Sequence, residues 1–187
     1  DLWVCRAVKQ DLNHWATQYG FKPRIAINLH PHTILDAWFI ERIADELQGE
    51  RIDFEVLERG DANQKAAIDN LHHLRQRGFR IALDDFGTGY AGVGPLNHLP
   101  LDVIKIDKSL LDDAQTQNGR IVYTVAVELA LRLGHKCVAE GVETPEQLEI
   151  VAQAGVTHVQ GYLFSRALSA KDVVAYHPRQ SATSHIA

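Results

Sequence analysis

The sequence predicts an α/β fold in which helices alternate with the strands of a parallel sheet. Short β-branched runs bounded by loops recur along the 187 residues, and stretches with apolar residues at helical spacing lie between them. Such alternation is typical of parallel sheets, which are either open and doubly wound or closed into a barrel. The six strands that the pattern predicts do not decide between these two arrangements.

The predicted strands share a β-branched core and a polar residue near the carboxyl end. They cover residues 24–29, 52–57, 80–84, 103–106, 136–139 and 158–163. Gly78, Gly134 and Gly155 precede three of them, as expected where a helix ends just before a strand begins.

The predicted helices fill the intervals between these strands. They cover residues 4–15, 36–47, 61–77 and 119–133, a segment that begins at Thr144, and a short segment after Lys171. Thr144-Pro-Glu-Gln is typical of a helix start, because it combines a capping hydroxyl, proline at the first helical position and glutamine three residues after the cap. In residues 119–133, the spacing predicts a core-facing stripe of Ile121, Val125, Leu129 and Leu133.

The composition is that of an ordinary folded chain. Nineteen Lys and Arg against 24 Asp and Glu give a net charge of −5, so the sequence lacks the basic footprint of a DNA- or RNA-binding protein. Two cysteines are too few for a disulfide framework, and we expect both to be reduced and buried. No signal peptide and no apolar run of about 20 residues is present, so we expect a cytoplasmic location and no membrane contact from this chain itself.

The length suggests that the chain is part of a larger unit. An eight-stranded barrel typically needs about 250 residues, so a barrel built from this chain would lack about two strands. The first predicted element is a helix and the chain contains no methionine, which favours the absence of preceding βα material. We expect residues 1–178 to form the domain and residues 179–187 to form a flexible C-terminal tail.

Polar side chains fall repeatedly where the predicted strands end. Carboxylates are normally excluded from buried parallel strands unless they pair or bind metal. Here the strand ends carry Asn28, Glu55 with Glu58, Asp84 with Asp85, Lys105 with Asp107, Glu140, and Gln160. Because the carboxyl ends of parallel strands meet on one face, we expect these side chains to gather there. The alternative is a set of structural ion pairs that cap the strands.

An oxygen-rich set of this kind favours Mg²⁺ or Mn²⁺ over Zn²⁺. Asp84 and Asp85, with Glu55, are suited to hold two cations about 3.5–4 Å apart, an arrangement that supports in-line displacement at phosphorus. Lys105 would hold the attacking water or screen the phosphate. The glycine-rich loop that begins at Phe86 suits a phosphate cradle or a mobile gate, and it does not match the glycine pattern of dinucleotide-binding folds.

Four segments, in this order along the chain, resemble the EAL-domain cyclic di-GMP phosphodiesterases. They are Asp84-Asp-Phe-Gly-Thr-Gly-Tyr, Asp102-Val-Ile-Lys-Ile-Asp-Lys, Val138-Ala-Glu-Gly-Val-Glu-Thr and Val159-Gln-Gly-Tyr-Leu-Phe-Ser. Asn28 and the pair Glu55 and Glu58 fit earlier motifs of the family, so the resemblance covers nearly the whole chain.

The resemblance implies an α/β fold of the (β/α)8 TIM-like barrel type, here N-terminally truncated with about six parallel strands present. The implied reaction is hydrolysis of cyclic di-GMP to the linear dinucleotide pGpG. The implied cofactors are Mg²⁺ or Mn²⁺ in a two-metal site, with Ca²⁺ inhibitory because it supports binding without turnover. Besides cyclic di-GMP, the implied partner is a second copy of the chain, bound through the loop of residues 85–92.

The same resemblance implies roles for individual residues. Asn28, Glu55, Asp84 and Asp85 match the metal ligands, and Lys105, Glu140 and Gln160 match the catalytic residues. Glu58 matches the anchor of the 85–92 loop. Asp107 is expected to support the site by orienting Lys105, whereas Glu143 would either touch the site or cap the helix that begins at Thr144.

The sequence departs from the family pattern at several positions. The signature Glu-Ala-Leu tripeptide is absent, and with it a glutamate metal ligand. Leu57, Ala91 and Ala167 stand where Thr, Ser and Pro are common, and these changes look tolerable. We therefore expect the complete domain to be active and this chain alone to be weakly active or inactive. The alternatives are a degenerate domain that senses cyclic di-GMP, a protein-interaction module, and a barrel enzyme acting on a sugar phosphate.

Overall fold

A computed structural model describes residues 1–57, 64–88 and 94–181 of the chain. Helices and strands alternate along these residues. The strands are β1 (Ile25–Asn28), β2 (Ile52–Leu57), β3 (Arg80–Phe86), β4 (Val103–Ile106), β5 (Lys136–Ala139) and β6 (His158–Val159). The helices are α1 (Leu2–Tyr19), α2 (Ala37–Glu46), α3 (Lys65–Gln76), α4 (Gly94–His98), α5 (Lys108–Asp113), α6 (Gln117–Arg132), α7 (Pro145–Gln153) and α8 (Ala170–Ser181), with a 3-10 helix at Thr33–Leu35.

The six described strands form one parallel sheet whose order follows the order of the chain. Each strand pairs with the next, from Ile25 opposite Ile52 at one edge to Ala139 opposite Val159 at the other. The sheet curls into a half-barrel, because side chains from β2 and β4 meet on its concave face although β3 lies between them. The predicted parallel α/β sheet is confirmed, although β6 is shorter than the predicted strand at 158–163.

The helices cover the convex face of the sheet with their apolar sides. Ile40 and Ile43 of α2, together with Leu71 and Leu74 of α3, are fully buried against it. Burial of one such side chain stabilises the fold by about 1.5–3 kcal/mol, and the three-residue spacing within each helix places the two residues on one face.

One predicted helix face is wrong. Ile121, Val125 and Leu133 are exposed by 58%, 57% and 42%, and of the predicted stripe Leu129 alone packs against the core. The fully buried residues of α6 are Tyr123, Val127 and Ala130. The helix carries two apolar stripes at helical spacing, so periodicity alone does not select one. Contacts of α6 with β4 and β5 select the stripe that contains Tyr123.

The predicted C-terminal tail lies mostly outside the described residues. Helix α8 ends at Ser181, and residues 182–187 lie outside the described part, so the predicted tail at 179–187 stays a prediction.

Among the described helices, none combines the length and the apolar character needed to cross a membrane.

Candidate active site

The carboxyl ends of the strands meet on one face of the half-barrel. Parallel register sets Asn28 opposite Glu55, and Leu57 opposite Asp84. Because alternate residues of a strand face the same side, Glu55, Asp84 and Lys105 all point into the concave surface, as the pattern of polar strand ends predicts.

Lys105 lies at the centre of this face. Its ammonium nitrogen is 2.9 Å from Glu55 Oε1, 2.8 Å from Asp84 Oδ1 and 2.8 Å from Glu140 Oε1. The Lys105 side chain is only 8% exposed, so these pairs are shielded from solvent. Carboxylates from the ends of β2, β3 and β5 therefore meet at a single buried cation. Gln160, which follows β6, joins the cluster through the 2.5 Å hydrogen bond that its Nε2 donates to Glu140 Oε1.

Burial and ion pairing act in opposite directions on these groups. Burial disfavours the Lys105 ammonium, but hydrogen bonds to Asp84, Glu140 and Glu55 outweigh it and raise the pKa of Lys105 above its ordinary value. Burial also raises the pKa of Glu55 and Glu140, and the hydrogen bond that each accepts from Lys105 only partly offsets it. Three carboxylates share one ammonium, so the cluster keeps an excess of negative charge that a further cation would balance.

A β-bulge places two consecutive carboxylates at the site. Leu83 pairs with Ile104 and Phe86 pairs with Ile106, so Asp84 and Asp85 together oppose the single residue Lys105. Asp85 has a φ of 56°, a left-handed conformation that aspartate tolerates better than most residues. Neighbouring residues of a regular strand point to opposite faces, and the bulge removes this restriction.

Two glycines shape the chain directly after Glu140 and Gln160. Gly141 has a φ of 66°, and a Cβ atom there would lie 2.5 Å from the side chain of Lys108. A Cβ atom on Gly161 would lie 2.1 Å from the backbone oxygen of Val142. Glycine therefore permits Lys108 to approach the loop after β5, and it permits the loop after β6 to approach Val142.

The donor set fits hard divalent cations. Ligand oxygens of Asp84, Asp85 and Glu140 lie within 4.8 Å of one another, and all three residues are half-buried. Carboxylate oxygens without sulfur or imidazole partners match the preference of Mg²⁺ and Mn²⁺. Glu55 contacts the same cluster through Lys105, and Asn28 is its neighbour across the sheet.

Two predicted site residues in the described ranges, Asp107 and Glu143, form their contacts outside this cluster. The carboxylate of Asp107 caps α5 by accepting hydrogen bonds from the Ser109 amide and hydroxyl groups. Glu143 pairs with Lys108 at 2.6 Å. Glu58 lies outside the described residues, as do residues 89–92 of the loop that it is predicted to anchor. Their supporting roles stay predictions.

Sequence reasoning missed Lys108 and the bulge. Lys108 covers Gly141 and pairs with Glu143, so it ties the start of α5 to the loop that follows Glu140. A signal for α5 was present, since Asp107 followed by Lys-Ser-Leu-Leu is a capped helix start. No signal in the sequence indicates the ion pair, because its partners are 35 residues apart.

Comparison with known proteins agrees with this geometry. The model of the EAL domain family matches residues 1–167. The chain is 34% identical over 180 residues to the probable cyclic di-GMP phosphodiesterase PdeB of Escherichia coli K12, with 94% of the chain and 34% of PdeB covered. It is 34% identical over 177 residues to the cyclic di-GMP phosphodiesterase NbdA of Pseudomonas aeruginosa, with 90% of the chain and 22% of NbdA covered. The chain thus spans about a third or less of the length of these relatives.

Solved structures show the same architecture. The EAL domain of Mycobacterium smegmatis DcpA superposes with a TM-score of 0.87 at 27% identity, covering 95% of this chain and 83% of that one. The PaMucR phosphodiesterase in complex with c-di-GMP superposes with a TM-score of 0.82 at 28% identity, covering 92% of this chain and 72% of that one. The predicted TIM-like barrel architecture is thereby confirmed, and the chain belongs to the EAL domain family.

Proposed function

We propose that this domain hydrolyses cyclic di-GMP to linear pGpG with the help of Mg²⁺ or Mn²⁺. The observation that carries the proposal is the contact of one buried ammonium, that of Lys105, with carboxylates from three separate strand ends. The naming of the relatives PdeB and NbdA as cyclic di-GMP phosphodiesterases gives the substrate class. The two free cysteines are buried, which suits action in the cytoplasm.

The geometry supports a division of labour among the polar residues. Asn28, Glu55, Asp84 and Asp85 would hold the metal ions, which supply electrostatic stabilisation of the charge at phosphorus. Lys105 balances negative charge, and it would orient the attacking water by exchanging one of its three carboxylate contacts for a hydrogen bond to that water. Glu140 accepts the proton of that water, and Gln160 holds the Glu140 carboxylate in position through its hydrogen bond.

The reaction is a displacement at one phosphorus of the cyclic dinucleotide. The water oxygen forms a bond to phosphorus, its proton passes to Glu140, and the bond from phosphorus to a ribose 3′ oxygen breaks. The leaving oxygen takes up a proton, and the product is the linear dinucleotide with a 5′ phosphate. The proposed chemistry thus requires a fixed cation, a carboxylate base and an in-line water.

Hydrolysis of cyclic di-GMP in Mn²⁺ by the complete domain tests these roles. Because Glu140 and Lys105 act on the reacting atoms, Glu140→Gln and Lys105→Met should each lower kcat at least about 100-fold. Glu149→Gln, which makes the same change on the exposed side of α7, is the matched control and should leave kcat unchanged. Normal turnover in either site variant would refute the assigned role.

The activity of this chain alone is a separate question. The Glu-Ala-Leu tripeptide and its glutamate ligand are absent from the sequence, so we propose that the chain alone has little or no turnover. The assay compares the chain with an extended protein in which a segment that carries the Glu-Ala-Leu tripeptide precedes Asp1. Turnover by the chain within a few-fold of the extended protein would contradict this proposal.

A sensor that binds cyclic di-GMP without cleaving it is the second candidate function. Titration calorimetry of the extended protein in Ca²⁺, followed by exchange into Mn²⁺, separates the two. Binding followed by product formation supports the enzyme, whereas binding without product supports the sensor.

We further propose that the domain forms a homodimer through the region of residues 85–92. Light scattering of the purified protein measures its molar mass and so tests whether a dimer forms.

A further inference from the structure

Lys108 is the first residue of α5, and it lies beside the segment that joins Glu140 to α7. This segment covers residues 141–144, between the end of β5 and the start of α7. The strands β4 and β5 each have neighbours on both sides, so these contacts lie away from the open edges of the half-barrel. Because Glu140 directly precedes the 141–144 segment, the backbone of the segment helps to set where its carboxylate lies.

The aliphatic part of Lys108 packs against Gly141. Gly141 has a φ of 66°, and a Cβ atom built on it would lie 2.5 Å from Cγ, 2.6 Å from Cδ and 2.7 Å from Cβ of Lys108. The lysine side chain therefore fills the space beside the glycine. Glycine has the least restricted backbone of all residues. A close contact on its open side thus limits backbone rotations that would move Glu140.

The ammonium group of Lys108 contacts the same segment at a second point. It lies 2.6 Å from Glu143 Oε1, and the backbone N–H of Glu143 donates to Gln147 Oε1 at 2.7 Å. The Lys108 and Glu143 side chains are 42% and 40% exposed, so their ion pair adds little to the stability of the fold. The pair nevertheless sets the distance between α5 and the 141–144 segment.

Helix α5 does not need a lysine at this position. A cation at the first position of a helix opposes the helix dipole, and Asp107 already supplies the cap. A separate hydrogen bond, from Gln147 Nε2 to Asp112 Oδ1, fastens α5 to α7. The contacts of Lys108 with Gly141 and Glu143 are therefore not explained by the stability of α5 or by its attachment to α7.

Residues 105–108 approach Glu140 from two directions. The Lys105 ammonium lies 2.8 Å from Glu140 Oε1, and Lys108 contacts residues on the C-terminal side of Glu140. The strands are in register at this point, with Ile106 opposite Ala139. The position of the Glu140 carboxylate relative to the Lys105 ammonium is thus determined by both ends of the short stretch 105–108.

We propose that Lys108 is a positioning residue for Glu140, which keeps the carboxylate in place to accept the proton of the attacking water. The inference rests on the hydrolysis proposed above. Lys108 acts through Gly141 and Glu143, and not on the reacting atoms. Its loss should therefore slow the chemical step more than it weakens substrate binding.

Hydrolysis of cyclic di-GMP in Mn²⁺ by the extended protein tests the proposal. Lys108→Ala should lower kcat about tenfold and leave KM within about twofold, because a misplaced base slows proton transfer. Lys108→Arg keeps an aliphatic stem and a positive charge, so its kcat should stay within about twofold of the wild type. Lys65→Ala is the matched control, since Lys65 is the exposed first residue of α3, and it should behave like the wild type.

Three outcomes of this assay would overturn the proposal. A higher KM with unchanged kcat would make Lys108 a substrate contact, and equal losses in Lys108→Ala and Lys108→Arg would exclude a role of stem and charge. Circular dichroism melting gives the third, because we expect the Tm of Lys108→Ala to lie within about 2 °C of that of Lys65→Ala. A kcat loss that accompanies a much lower Tm would make the role purely structural.

Amide hydrogen exchange of the chain itself gives a readout that does not depend on turnover. The backbone N–H groups of Val142 and Glu143 donate to the Gln160 carbonyl and to Gln147 Oε1. In Lys108→Ala they should exchange at least about threefold faster than in the wild type, and in Lys65→Ala at the wild-type rate. Unchanged exchange in Lys108→Ala would overturn the proposal. If the extended wild type shows no turnover, the proposed hydrolysis fails, while these exchange rates still decide whether Lys108 restrains the 141–144 segment.

Discussion

Among the described non-glycine residues, Asp85 alone has a left-handed backbone, with a φ of 56°. This conformation costs most residues about 1–2 kcal/mol, and only glycine, asparagine and aspartate adopt it routinely. It occurs where β3 has one residue more than β4, beside the cluster that fits a divalent cation. Aspartate at position 85 therefore both tolerates the left-handed backbone and supplies a carboxylate to the cluster.

Two substitutions separate these contributions. Asp85→Asn keeps a side chain that tolerates the left-handed backbone, so in EDTA we expect its free energy of unfolding to stay within about 0.5 kcal/mol of the wild type. Asp85→Ala should lower it by about 1 kcal/mol. Both variants should lose Mn²⁺-induced stabilisation, because both lack the carboxylate. Urea unfolding with and without Mn²⁺ measures these effects.

The outcome can contradict either half of this interpretation. Equal stability of the two variants in EDTA would show that the backbone conformation carries no cost. Full Mn²⁺-induced stabilisation in both would remove Asp85 from the set of metal ligands.

At this scale, residue type and strand position predicted Glu55, Asp84, Lys105 and Glu140 as neighbours, and they are in contact in the structure. The left-handed conformation of Asp85 could not be predicted, because aspartate adopts several backbone conformations and only pairing with β4 selects this one.

At the scale of elements, helix α7 begins with a complete capping box. The Thr144 hydroxyl accepts a hydrogen bond from the backbone N–H of Gln147, and the side-chain Oε1 of Gln147 accepts one from the backbone N–H of Thr144. Gln147 is nearly buried and also donates to Asp112 Oδ1 at 3.1 Å, so the cap of α7 is fastened to the end of α5. The start of α7 therefore positions the loop that contains Glu140.

Removal of the capping hydroxyl tests this role. Thr144→Ala should lower the free energy of unfolding by about 1 kcal/mol, because the backbone N–H of Gln147 loses the hydroxyl that accepts its hydrogen bond. Thr124→Ala is the matched control: its hydroxyl bonds the Arg120 carbonyl within exposed α6, and alanine is the better helix former. Chemical unfolding of both variants should show destabilisation only for Thr144→Ala. Equal stability of the two would mean that the cap contributes nothing.

The elements themselves differ in how far the sequence predicts them. The cap of α7 was predicted because its signal is local, within Thr144 to Gln147. The buried face of α6 was not, because both of its stripes are apolar and the choice depends on the sheet. Helix α5 was missed although Asp107 is a local signal for its start, because six residues are too few to show a helical period.

At the scale of the whole molecule, the sheet has two edges among the described strands. β3 and β4 each have neighbours on both sides, whereas β1 and β6 each pair with one strand. An edge strand has backbone groups without a strand partner, and its local opening costs less free energy.

Amide hydrogen exchange should report this gradient. We expect the slowest exchange in β3 and β4, close to that set by global unfolding, and faster exchange in β1 and β6. Mass spectrometry of peptic fragments measures it, and buried residues such as Ile81 and Ile104 serve as internal references. Uniform protection from β1 to β6 would mean that the edges are covered, for example by association of two chains.

The whole fold was predictable to the level of a parallel α/β sheet, because strand and helix periods alternate along the entire chain. Spacing alone left the choice between an open sheet and a barrel undecided, since it depends on how far the sheet curls. Contacts such as that of Lys105 with Glu55 across β3 show the curl, and they join residues 50 positions apart.

The extra residue in β3 also bears on any attempt to make this protein more robust. Deletion of one residue between Leu83 and Phe86 would remove the bulge and restore regular pairing of β3 with β4. Selection for thermal stability is therefore expected to favour such a deletion. The shortened chain would keep its fold and present a single acid opposite Lys105. Higher thermal stability and retention of both aspartates are thus opposing goals. A screen that measures folding alone would select variants that have lost one of the two carboxylates.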